Sequence, residues 1–302
     1  MRLLRYLLVS GSAVLVAGTL TLTAGTLTLS TGTTTAPPHT SHAPYPARFI
    51  SAASASLARY LRHYRPQAML AGHARAGQNG TTAIPSFNWS GYADGASTTP
   101  AGTFTAVSGS WTAPSVTCSA EDQITVDWVG LDGTFSGAPE QLGTMAWCYQ
   151  GSPFYFTWWE MPPSSTLTEV GKTLQPGDKI SASVTRSGSK YTLNLTDATT
   201  PANSFTIKQT CPTTTCQDTS AEWISERPVF SGVGIPPQAH YNTFRITKGA
   251  QTSGGKSGTI GSFSTVDEIT MVDATNTYHL NDVSSLSGTS KNSFSTIWRN
   301  SY

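Results

Sequence analysis

Residues 179–197 read Lys-Ile-Ser-Ala-Ser-Val-Thr-Arg-Ser-Gly-Ser-Lys-Tyr-Thr-Leu-Asn-Leu-Thr-Asp. Ile180, Ala182 and Val184 alternate with polar residues, and Tyr191, Leu193 and Leu195 do so again after a Ser-Gly-Ser break. A period of two puts each apolar set on one face of a strand. Gly188 can take the positive φ that a tight loop requires, so the stretch predicts an antiparallel hairpin.

Working outward, similar short runs fill the chain from residue 86 onward: Gly102–Thr112, Gln123–Leu131, Gln141–Gln150, Tyr155–Met161, Asn203–Gln209, Ala221–Glu226, Tyr241–Lys248, Glu268–Asp273 and Ser293–Tyr302. Gly, Pro, Thr and Ser separate them, and charged residues are only 12% of the chain. Many short strands with such turns predict an all-β sandwich or barrel.

The segment before residue 86 differs. Arg2 and Arg5 precede an apolar stretch, Tyr6 to Gly18, with the pattern of a secretory signal, and the stretch is too short for a membrane span. Secretion without stable membrane association is therefore expected. Residues 1–43 read as signal and disordered linker, 44–85 as a basic pro-segment and 86–302 as the main domain. Within the pro-segment, Leu57, Tyr60, Leu61 and Tyr64 fall at helical spacing, which predicts a helix over Phe49 to Leu70. Processing is expected within residues 71–86.

Residues 1–80 hold seven Arg and no acidic group, whereas residues 81–302 hold 11 basic and 17 acidic groups. The split predicts a basic segment docked on an acidic domain and argues against a nucleic-acid partner. Arg59, Arg62 and Arg65 are expected to pair with carboxylates of the main domain near neutrality and to let go in acid.

Cys118, Cys148, Cys211 and Cys216 allow three pairings. Cys211 and Cys216 bracket a short Pro-Thr-Thr-Thr loop that could close locally and leave Cys118 with Cys148. Their spacing is not a zinc pattern, so neither a metal nor another cofactor is expected.

Nucleophile systems find little support. Only His240 and His279 follow residue 86, no G-x-S-x-G is present, and no pair of Asp-Thr/Ser-Gly turns suggests an aspartic dyad. What remains is carboxylates and amides among tryptophans. Strand alternation puts Trp128, Gly130 and Asp132 on one side, Gln141 with Gly143 and Met145, Trp158 with Glu160, and Glu222 with Ile224 and Glu226. Such a face reads as a binding groove. It suits pyranose stacking and two-carboxylate hydrolysis, as in a carbohydrate-binding sandwich or a glycosidase.

The segments Asn88-Trp89-Ser90-Gly91-Tyr92, Trp128-Val129-Gly130-Leu131-Asp132-Gly133, Gln141-Leu142-Gly143, Trp158-Trp159-Glu160 and Ala221-Glu222-Trp223-Ile224-Ser225-Glu226 resemble, in order and spacing, the glutamic peptidases, or eqolisins. The resemblance implies two packed antiparallel sheets in a concanavalin-like β-sandwich, a secreted acid endopeptidase acting on proteins and peptides, and a basic propeptide that inhibits its own domain. A monomer is expected. It implies Gln141 and Glu226 as the catalytic pair, because the family's glutamate closes the Glu-Trp-Ile-x-Glu segment. Trp89, Trp128, Asp132, Trp158, Glu160 and Glu222 are then supporting residues. Pro139-Glu140 before Gln141 departs from the family's commoner apolar pair.

Overall fold

The computed structural model describes residues 47–72, 75–76, 82–135, 138–162, 165–171, 173–212 and 214–302. The signal and linker expected over residues 1–43 lie outside them. Among the described residues no helix is long and apolar enough to cross a membrane.

The predicted hairpin is present. Lys179–Ser187 and Lys190–Asp197 pair antiparallel from Ile180↔Asp197 to Ser187↔Lys190, and Gly188 closes the loop with φ 62°. Ile180, Ala182, Val184, Tyr191, Leu193 and Leu195 all face the core.

Among the described residues, nine strands form one sheet, in the order Ser165–Glu169, Ser152–Met161, Glu140–Tyr149, Gln123–Leu131, Ser220–Glu226, Trp89–Gly95, Val266–Met271, Thr82–Ser86 and Arg75–Ala76. Eight form the other: Phe205–Thr210, Lys190–Asp197, Lys179–Ser187, Phe104–Thr112, Phe244–Ser253, Phe294–Trp298 and Asn281–Val283 in order, with Lys256–Thr259 paired to Phe244–Ser253. Alternation decides the packing. Val129, Leu131, Leu142, Trp159 and Trp223 of the first sheet meet Val107, Trp111, Val184, Leu193 and Ile246 of the second in one core, which makes the β-sandwich. The disulfides are Cys118–Cys148 and Cys211–Cys216.

One pairing departs from an all-antiparallel plan. Thr82–Ser86, which the sequence places in the processing region, runs parallel to Val266–Met271. Thr-Ala-Ile-Pro-Ser carries a weak strand signal because proline cannot donate to a ladder. Pro85 is tolerated because the outer neighbour pairs only with Thr82 and Ala83.

The opposite face of the nine-stranded sheet builds a second apolar cluster. Ile124, Val126, Trp128, Met145, Trp147, Phe156, Trp158, Ile224 and Phe230 pack there against Ala53, Leu57 and Tyr64 from the N-terminal part of the described chain. The helix runs Ala47–Leu61, shorter than the predicted Phe49 to Leu70. Tyr64 leaves the helical stripe and enters a strand, Tyr64–Arg65, antiparallel to Val229–Phe230. The cause is Pro66, whose ring disfavours the α conformation at Arg65. Leu57 keeps its place on the helix and is 1% exposed.

Candidate active site

Adjacent strands set the outer-face side chains in rows. Gly130 opposes Gln141, which opposes Glu160; Trp128 opposes Gly143, which opposes Trp158. On the other flank Glu222 opposes Gly130, Ile224 opposes Trp128, and Glu226 opposes Val126 on one side and Trp89 on the other. Gln141 and Glu226 are therefore on strands separated by a third, and offset along it.

Glycine keeps the floor between them low. A Cβ on Gly143 would lie 2.0 Å from the backbone oxygen of Asp127 and 2.8 Å from Trp128, and one on Gly130 would lie 3.0 Å from the Trp128 ring. Gly143→Ala is accordingly expected to cost about 1–3 kcal/mol through overpacking against backbone that cannot yield, measurable as a lowered thermal midpoint.

The long side chains converge over that floor. Trp128 Nε1 donates to Glu226 Oε2 at 2.8 Å, and the Trp89 ring meets Trp128 edge-on at 4.8 Å. Gln141 Nε2 donates to Glu160 Oε2 at 2.9 Å. The Tyr64 hydroxyl donates to Glu226 Oε2 at 2.9 Å and receives Gln141 Nε2 at 3.5 Å. One oxygen atom thus sits between the carboxylate and the amide, donating to the first and accepting from the second. Among the described residues, Oε1 of Gln141 and Oε1 of Glu226 have no hydrogen-bond partner.

Electrostatics follow from burial. Glu226 and Gln141 are 0% exposed. Burial pushes Glu226 up to about 8, against the hydrogen bonds from Tyr64 and Trp128 that favour its ionised form. Glu160 is also pushed up to about 8 by burial; its bond from Gln141 opposes the rise and the nearby Glu226 charge adds to it. Burial first, then Glu226 and Glu160, raise the Tyr64 phenol well above its ordinary value. With Tyr64 in place, the oxygen-bearing groups of the site are neutral in acid.

The supporting residues divide. Trp89, Trp128, Trp158 and Glu160 stand on this face, buried beneath the segment. Glu222 is on the face too, but its Oε1 accepts from Thr134 Oγ1 at 2.7 Å, away from the pair. Asp132 does not continue the Trp128 face: its φ of 63° turns the chain. Its carboxylate accepts from the backbone N–H of Asp218 and Thr219 at 2.7 and 2.8 Å. It ties two strand ends together. Glu140, 0% exposed on the inner side, sits beside the Cys211–Cys216 disulfide, whose sulfurs are committed to each other.

The expected arginine–carboxylate pairs do not form as close contacts, and the Arg59 charge acts on Asp122 only from a distance. Among the described residues no ion pair involves Arg59, Arg62 or Arg65; all three are exposed, and Arg65 Nε donates to Ser231 Oγ at 2.5 Å. Apolar burial and main-chain pairing do the holding. A cleft of about 380 Å³ remains between residues 62–67 and a wall of Pro139, Glu160, Pro162, Thr166 and Ser231. Tyr64 and Phe230 are the residues that sequence reasoning missed. Pro66, ending the helical stripe just after Tyr64, was the available signal.

Residues 87–295 match the model of the peptidase A4 family. No curated protein matches the chain. Among solved structures, scytalido-glutamic peptidase with a transition state analog inhibitor is similar with a TM-score of 0.58 at 23% identity, over 70% of this chain and 98% of that one. SCP-B, a member of the eqolisin family of peptidases, in a complex with the tripeptide Ala-Ile-His, gives 0.55 at 23% identity over the same shares. The likeness shows a shared fold, and the family match decides against the carbohydrate-binding alternative.

Proposed function

The chain belongs to the peptidase A4 family, the glutamic endopeptidases, and on that premise we propose that it is an exported acid endopeptidase working through Glu226 and Gln141. We propose further that it is made as a proprotein whose residues 44–85 close the site. The observation that carries the reading is the Tyr64 hydroxyl, which bridges Glu226 Oε2 and Gln141 Nε2. On this reading its oxygen stands in for the attacking water or the tetrahedral oxyanion.

Once the segment leaves, water reaches Glu226 and its pKa falls back toward the ordinary value of roughly 4.3. As carboxylate it takes a proton from water while the water oxygen attacks the scissile carbonyl carbon, and it returns that proton to the leaving nitrogen. Gln141 donates its N–H to the oxyanion. Its hydrogen bond to Glu160 holds the amide beside the Tyr64 oxygen. Glu160 is thus a positioning residue, and the tryptophan floor supports substrate side chains.

The test is digestion of an unfolded protein by the acid-processed chain, with an aspartic-peptidase inhibitor present and a set of common polysaccharides as parallel substrates. Peptide cleavage that resists the inhibitor is expected. Retention on polysaccharide without proteolysis would overturn the reading.

A further inference from the structure

We propose that the space between Glu226 and Gln141 is a binding site for uncharged aromatic hydroxyls, phenols as a class, and that Tyr64 is the resident example which blocks the site. The inference rests on the peptidase reading above and adds a ligand class to it. Tyr64 lies before the segment matched to the family, which begins at residue 87.

Three contacts define the site. The hydroxyl meets an acceptor, Glu226 Oε2 at 2.9 Å, and a donor, Gln141 Nε2 at 3.5 Å. The ring lies against Phe230, tilted, with centroids 6.0 Å apart, and Phe230 is itself closed over by Tyr60 edge-on at 5.1 Å. The main chain above is pinned by Tyr64↔Phe230 pairing and by the Ser231 N–H donating to the His63 carbonyl at 2.7 Å. A donor-acceptor hydroxyl at one end and an apolar wall along the ring match a phenol and little else among side chains.

The same geometry explains why Tyr64 blocks and is not cut. What reaches the pair is an oxygen on an aromatic carbon, which offers no carbonyl for water to attack. The whole ring stands between that oxygen and the Tyr64 main chain. The contact is a neutral hydrogen bond inside an apolar cluster, and it needs no arginine.

4-Methylphenol is the tyrosine side chain without its backbone, and 4-methylanisole has the same shape without the O–H. In full-length Tyr64→Gly protein, 4-methylphenol at tens of millimolar is expected to raise the thermal midpoint by a few degrees, by refilling the vacated channel. 4-Methylanisole should shift it much less, and wild-type full-length protein should respond to neither. This arm needs no activity, so it stands apart from the peptidase reading.

In the processed wild-type enzyme, which needs no variant, 4-methylphenol is expected to inhibit peptide cleavage competitively in the millimolar range, with 4-methylanisole at least several-fold weaker. Equal effects of the two compounds, or no effect of 4-methylphenol in either arm, would overturn the proposal. Absence of proteolysis with a phenol-specific midpoint shift would instead sink the peptidase reading alone.

Discussion

Glu226→Gln and Gln141→Ala are each expected to remove acid proteolysis while the protein keeps the far-UV spectrum of a β-sandwich. Glutamine at 226 preserves an acceptor for Trp128 and Tyr64 but cannot take up a proton, and general-base losses run to ~10²–10⁴ in rate. Alanine at 141 deletes the N–H that reaches the Tyr64 oxygen, and loss of one such donor costs ~10²–10³ in kcat. It also leaves Glu160 without its 2.9 Å bond, so a stability cost of about 1–3 kcal/mol accompanies it. The measurement is kcat on a peptide substrate after the pro-segment has been removed, with wild-type enzyme treated alike. Full activity in either variant would take that residue out of the mechanism. Glu222→Gln is the control. Its carboxyl is engaged with Thr134, and rates within a few-fold of wild type are expected.

The second large effect is a loss of stability as pH rises. Burial pushes Asp127 and Asp218 up to about 7 and Glu160 and Glu226 up to about 8. Hydrogen bonds oppose the rise at each, together with the Arg186 charge at Asp218, which pairs with it at 3.0 Å. Glu140 goes well above the carboxylate range through burial and the charges of Asp132, Asp218 and Glu222, and Glu222 does so chiefly through burial.

In each case the folded protein holds its proton more tightly than the unfolded chain, whose carboxyls titrate near 4. The folded state then binds more protons, so the stability these groups confer is complete below about pH 4. The part owed to Asp127, Asp218, Glu160 and Glu226 is lost as pH rises through 7 to 8. Each such group loses about 1.4 kcal/mol per pH unit across that window; two of them over three units amount to about 8 kcal/mol, against a total domain stability of roughly 5–15 kcal/mol. The thermal midpoint of the full-length protein is therefore expected to fall steeply between pH 4 and pH 8. Glu140→Gln, a neutral mimic of the protonated acid, should flatten the decline. A midpoint that stays level over that range would show that the buried carboxyls rearrange into water.

Much of the site was legible residue by residue and little of it in space. Alternation assigned Trp128, Gln141, Trp158, Glu160, Glu222 and Glu226 to the faces they occupy, because the side-chain period of a strand is two wherever the backbone stays extended. It failed at Asp132, where a left-handed residue breaks the period. Helical periodicity failed at Tyr64 for a related reason: the helix stops at Leu61, ahead of Pro66, and the tyrosine that completes the apolar stripe in the sequence is delivered to the candidate site by a strand. The basic charge of the segment before residue 86 predicts attachment through arginines. Solvated guanidinium groups gain little from exposed ion pairs, and the apolar stripe does that work.

By itself the sequence determined an all-β fold of many short strands and the face that most of its site residues present, and it offered Cys211–Cys216 with Cys118–Cys148 as one of three pairings. Each follows from local chemistry, from a period of two or from the reach of a short loop. Which of Glu222 and Glu226 shares the Tyr64 hydroxyl with Gln141 was decided only in the tertiary structure. Register places Glu222 in the same row as Gln141 and Glu226 farther along, and sequence pattern ranks the two by motif position alone. Their difference arises from contacts between strands distant in the chain: Thr134 takes Glu222, and Trp128 with Tyr64 takes Glu226.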